Sequence, residues 1–233
     1  MITVASYNMR KGIGTDRRRD PFRIIDVLHE IDADVIALQE ADRRFGTRQS
    51  ALPLDYLTDH TPFKPVPFDV RPGGIGWHGN AILIRKSAEI LDRAPLDLPM
   101  LEPRGAVLAD IRIRGTELRI IGMHLDLSGL WRRRQARAVI THARHYRRPL
   151  PTVLMGDLNE WSLHGGCLRE FLPDFHLAQT GRSYHSRRPI ACLDRIMVTP
   201  DLRILSAGVH HSAKATRASD HLPIWARLQP TGA

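Results

Sequence analysis

The chain has 233 residues, of which 42% are hydrophobic and 25% charged, a globular composition long enough for one large domain, expected to span residues 1–233. It has no run of about 18 consecutive apolar residues, which excludes a transmembrane helix, and its two cysteines, Cys167 and Cys192, lack the spacing of a disulfide framework or a thiolate zinc site. Lys and Arg number 34 against 25 Asp and Glu, giving a formal charge of +9 that concentrates polyanions and points to an anionic substrate.

In chain order, Ile2 to Tyr7 reads as a buried strand that ends in Asn8. It follows Met1 directly, with no basic segment and apolar leader, so a cytoplasmic location is expected. Asp20 and Pro21 supply an N-cap and a first-turn proline before apolar Phe22, Ile25, Leu28 and Ile31, which predicts a helix. Val35 to Leu38 is a strand ending in Gln39-Glu40, and the Pro/Gly-rich stretch from Thr61 to Gly79 reads as a long surface loop. Strands follow at Ala81 to Ile84, Val107 to Ile113 and Leu118 to Gly122, the last running into His124. Trp131 to Tyr146 carries Ala136, Val139, Ile140 and Ala143 on one side and reads as a second helix. Strands Thr152 to Met155, Ile196 to Val198 and Leu222 to Leu228 complete a sheet-rich α+β pattern without internal repeats.

Polar residues gather where these strands begin or stop. Glu40 is a hard oxygen ligand of the kind Mg²⁺ or Mn²⁺ needs, although taken alone it reads more readily as a surface or structural carboxylate than as a metal ligand. Asn8 is suited to orienting a ligand or donating to a phosphate. Alternation in Gly156-Asp157-Leu158-Asn159 puts Asp157 and Asn159 on one side of an extended backbone, able to hold a water and a phosphoryl oxygen; the other reading is an Asx turn. Asp220 and His221 stand before the last strand, a carboxylate beside a group that titrates near neutrality and suits proton transfer. Asp194 is a candidate to orient that imidazole, or else a salt-bridge partner of an arginine. A protonated His124 would stabilise charge on phosphorus-bound oxygens. The runs Arg17-Arg18-Arg19, Arg132-Arg133-Arg134, Arg147-Arg148 and Arg187-Arg188 suit phosphate contact or a solvated basic surface.

Together, Tyr7-Asn8, Leu38-Gln39-Glu40, Gly79-Asn80-Ala81, Arg104-Gly105-Ala106, Met123-His124-Leu125, Gly156-Asp157-Leu158-Asn159, Leu193-Asp194-Arg195 and Ser219-Asp220-His221-Leu222-Pro223-Ile224 resemble the endonuclease/exonuclease/phosphatase superfamily. That resemblance implies a four-layer αββα sandwich of two packed mixed β-sheets flanked by helices, and hydrolysis of phosphoesters with Mg²⁺ or Mn²⁺. Carried over, Glu40 is the principal metal ligand with Asn8 and Asp220 beside it, and Asp157 and Asn159 position water and phosphate. His221, oriented by Asp194, becomes the acid/base, while His124, Arg104 and Asn80 contact phosphate. Arg10 stands where AP endonucleases carry an acidic ligand, as in pancreatic-type deoxyribonucleases, which favours one metal over two.

The resulting expectation is a phosphodiesterase acting on nucleic acid. The alternatives are a lipid or inositol-phosphate phosphodiesterase or phosphatase, for which Leu127 to Trp131 is a small candidate for peripheral lipid contact, and a non-catalytic nucleic-acid-binding module. No protein partner is indicated.

Overall fold

The computed structural model describes residues 1–43, 49–70 and 72–232. Among these, strands β1 (Ile2–Asn8), β2 (Val35–Gln39), β3 (Phe63–Pro65) and β4 (Ala81–Arg85) precede β5 (Glu89–Leu96), β6 (Gly105–Ile113), β7 (Thr116–His124) and β8 (Thr152–Asp157). The chain continues through β9 (His176–Leu177), β10 (Asp194–Val198), β11 (Leu202–Val209) and β12 (Ile224–Pro230). They form two six-stranded mixed sheets, in the orders β11-β12-β1-β2-β4-β3 and β5-β6-β7-β8-β10-β9. Helices α1 (Pro21–Ile31), α2 (Leu54–His60), α3 (Gly129–His145), α4 (Leu168–Phe171) and α5 (Ala213–Ala218) flank them.

Each sheet holds one parallel pair joined through a helix, β1-α1-β2 in the first and β7-α3-β8 in the second. A parallel pair needs such a crossover, and placing it on the outer face buries both faces of the central strands. Three apolar layers result. Val4, Val35, Ile82, Val107, Ile120, Val153 and Ile196 fill the space between the sheets. Ala5, Tyr7, Ile36 and Leu38 pack under α1, and Leu108, Ile121 and Leu154 under α3. At Gly122 the sheets approach so closely that an added Cβ would lie 3.2 Å from Ala37 Cβ.

α1 starts as expected, with Asp20 accepting from Phe22 N at 3.2 Å and Pro21 in the first turn. Its buried face is Ile24, Ile25, Val27 and Leu28, whereas Phe22 is half exposed and meets Tyr56 edge-to-face. Phe22 lies in the first turn, where its ring meets α2. α3 buries all four residues expected of it. The stretch from Thr61 to Gly79 is not a loop throughout, because Phe63–Pro65 adds an edge strand paired with β4; its residue 71 lies outside the described residues. Cys167 is buried and Cys192 half-buried, both as free thiols.

Candidate active site

Side chains alternate between the faces of a strand, so residues of equal parity share a face. On β1, Asn8 has the parity of Ile2 and Val4; on β7, His124 that of Leu118 and Ile120. Asp157 on β8 follows Val153 and Met155, and Asp194 on β10 precedes Ile196 and Val198. Each polar residue thus continues the inter-sheet face at a strand end, where the apolar core stops. Strand register completes the alignment: Gly105, His124, Asp157 and Asp194 stand side by side across β6, β7, β8 and β10.

Asp157 is the hub. Asn8 Nδ2 donates to its Oδ2 at 2.9 Å, and the same oxygen lies 3.4 Å from His124 Nε2 and 3.7 Å from His221 Nε2. On the far side of His221, Nδ1 lies 2.9 Å from Asp194 Oδ2, which also accepts from the Ser183 hydroxyl. Asp194 is fully buried, and its Oδ1 has no hydrogen-bond partner among the described residues. Tyr184 flanks the His221 ring at 4.9 Å between centroids, and the Ser219 hydroxyl donates to Asn8 O at 2.7 Å, tying the segment before β12 to the end of β1.

The two histidines have opposite charge preferences. Burial penalises an imidazolium at both, but at His221 the carboxylates of Asp194 and Asp157 outweigh it and hold the pKa up to about 10. At His124 burial dominates, with Arg104 adding to it against Asp157, and the pKa is pushed down to about 3. The Arg104 guanidinium, which can only donate, lies against both ring nitrogens of His124, 2.8 Å from Nδ1 and closer to Nε2, and so calls for a neutral ring that offers an acceptor. The protonated His124 expected from the sequence is therefore corrected to a neutral imidazole, because its buried position was not visible in the motif.

Glu40 and Asp220 face the same open cavity, which Asn8, Arg10, Lys11, Arg104, Asn159 and Trp161 also line. Each of these carboxylates meets a cation from the turn after β1: Lys11 Nζ contacts Glu40 Oε2, and Arg10 Nε lies 3.3 Å from Asp220 Oδ2. Hard oxygen donors that already gather positive charge fit a divalent cation of the Mg²⁺ class. Asp157, Asp194 and His221 also bring ligand-type atoms within 4.8 Å of one another. Since His221 Nδ1 and Asp194 Oδ2 already satisfy each other, that trio is better suited to holding a proton.

The model of the endonuclease/exonuclease/phosphatase family matches residues 5–221 of the sequence. The chain belongs to this family. No curated protein sequence matches it. Among solved structures, the mannosyl-6-phosphatase of Bacteroides thetaiotaomicron VPI-5482 is similar with a TM-score of 0.75 and 20% identity, over 98% of this chain and 100% of that one. D. rerio TDP2, complexed with a single-strand DNA product, has a TM-score of 0.75 and 15% identity, over 98% of both chains. The human Nocturnin catalytic domain with a bound sulfate anion has a TM-score of 0.73 and 17% identity, over 99% of this chain and 93% of that one. At these identities the likeness is one of fold.

In this endonuclease/exonuclease/phosphatase chain, Asn8, Glu40, Arg104, His124, Asp157, Asn159, Asp220 and His221 border one cavity, and Asp194 stands directly behind His221. Asn159 is not on an extended backbone. Its φ of 50° turns the chain, its N–H donates to Asp157 Oδ1 at 2.9 Å, and its side-chain amide donates to Leu125 O at 2.9 Å, so the Asx turn is the correct reading. Asn80 departs from the expected phosphate contact: it is fully buried and donates to Gly105 O at 2.9 Å, bracing β6 beside the site. Ser183, Tyr184 and Lys11 were not singled out by the sequence. The first two stand in a segment with no motif, and only the left-handed turn before Gly12 aims Lys11 into the cavity.

Proposed function

We propose that this chain is a metal-dependent phosphoester hydrolase whose residues 1–233 form one catalytic domain. The arrangement of His221 between Asp157 and Asp194 carries the reading, because it places a proton carrier, its orienting carboxylate and a water-holding carboxylate in one buried line opening on a cavity. A divalent cation held by Glu40, with Asp220 and Asn8 nearby, would act as a Lewis acid on the phosphoryl oxygens. Asp157, braced by Asn8, orients the attacking water. His221 is charged at neutral pH, so it is the group that delivers a proton to the departing oxygen, with Asp194 fixing its ring. Neutral His124 and charged Arg104 present donors to the equatorial oxygens.

Nucleic acid is the substrate best supported. The exposed arginines of two distant runs converge next to the segment that carries Asp220: Ser186 N donates to Asp220 O at 2.7 Å, Arg187 donates to Thr15 O at 3.2 Å, Thr15 N donates to Arg217 O at 3.0 Å, and Arg17 and Arg18 stand in the same loop. Such a flank suits successive phosphates. A lipid phosphoester is the second reading, favoured by the exposure of Leu127, Leu130 and Trp161, the first and last of which line the cavity. Turnover of plasmid DNA, single-stranded RNA, sphingomyelin and inositol phosphates, with Mn²⁺ and with chelator, separates the two. Chelator-sensitive cleavage of nucleic acid that weakens steeply with salt is expected. Salt-insensitive cleavage confined to vesicle lipids would favour the second reading.

A further inference from the structure

The turn that follows Asn8 is held in an uncommon backbone conformation. Arg10 and Lys11 both adopt left-handed backbone, with φ of 45° and 56°, and Glu40 does so too, at 53°. None is glycine, so each occupies a sparsely populated conformation of the kind that persists only when surrounding structure enforces it. Backbone bonds do so here: Lys11 N donates to Glu40 O at 3.1 Å, Met9 N donates to Gln39 O at 3.1 Å, and Gly12 N donates back to Met9 O at 2.8 Å. Beyond Glu40 the chain is pinned by Ala41 N donating to Gly79 O at 2.8 Å. Three enforced residues thus aim one carboxylate and two cations into one cavity. The Lys11 ammonium contacts Glu40 directly, and the pair is only about a quarter exposed, at 24% for each side chain.

We propose that Lys11 is a resident counter-ion of Glu40 that a divalent cation must displace, so that Lys11 sets the metal affinity of the site. The proposal rests on the reading of Glu40 as a metal ligand. A second positive charge cannot share the Glu40 carboxylate without repulsion, so cation binding at Glu40 requires the ammonium to withdraw into the cavity that it lines with Arg104. A flexible four-carbon stem allows that movement, whereas the backbone under it stays fixed.

Binding of Mn²⁺ to the intact chain, read from the electron-spin resonance of the free ion without any substrate, tests the proposal. Lys11→Met keeps the stem and removes the charge; it is expected to bind Mn²⁺ about three- to fivefold more tightly than the wild type, the upper range of a partly exposed ion pair. Lys11→Arg keeps a cation and is expected to remain within about twofold of the wild type. Equal or weaker Mn²⁺ binding by Lys11→Met, with its thermal melting intact, would overturn the proposal; if that variant does not fold, Lys11→Gln serves in its place. Glu40→Gln distinguishes the underlying reading: it is expected to lose Mn²⁺ binding, and undiminished binding there would remove Glu40 from the metal site altogether.

Discussion

His124 and His221 stand on either side of one carboxylate, yet their environments drive them to opposite charge states. The folded pKa of His221 is raised from 6.5 to about 10, so it contributes stability that is full below 6.5 and lost as pH rises through about 10. For His124 the folded value falls to about 3, so the unfolded chain takes up a proton near 6.5 that the folded chain refuses, and stability declines as pH falls below that point. Ring-nitrogen chemical shifts across about pH 5 to 8 are expected to show His221 doubly protonated and His124 neutral throughout. A titration of either ring near its ordinary value would contradict that assignment. The pairing of His221 with Asp194 was legible, because both flank strands that the apolar pattern marks. The state of His124 was not, since it depends on burial under Arg104, a residue twenty positions away in sequence and adjacent only through the β6–β7 register.

At the scale of elements, the crossover that carries His124 and Asp157 is locked by a buried arginine. Arg119 on β7 forms a two-pronged pair with Asp110 on β6, at 2.8 and 2.9 Å, and donates to the carbonyls of Ala143, Tyr146 and Arg148 where α3 ends. It thereby caps carbonyls at and just beyond the helix end, where the intrahelical ladder runs out. Arg119→Met is expected to cost about 3–5 kcal/mol in denaturant unfolding by leaving Asp110 buried and unpaired. Removing Asp110 as well, with Asp110→Leu, should recover part of the loss. A single-variant cost below about 1 kcal/mol would contradict this role. The central strands were readable because both faces are buried and their sequences are continuously apolar. β5 and β11 were not, because they are edge strands whose side chains are almost all half-buried or exposed, and β3 and β9 are too short to show a period.

Across the whole molecule, two sheets place the ends of β1, β2, β7 and β8 at one rim, and the segments leading into β10 and β12 meet them there. The order of motifs carried the resemblance, and with it the sandwich and most of the cavity's residues. Sequence order alone held no information on the convergence of the arginine runs, because loops far apart in the chain bring Arg17, Arg187 and Arg217 together. If the gathered residues work as one machine, their losses do not multiply. Turnover of the preferred phosphoester at saturating Mn²⁺ by His221→Ala, Asp157→Asn and the double variant measures this directly. Each single change is expected to slow turnover by about 10²- to 10⁴-fold, and the double variant to be no slower than the worse single one. Near-normal turnover by His221→Ala, or losses that multiply in the double variant, would contradict a single site built on this pair.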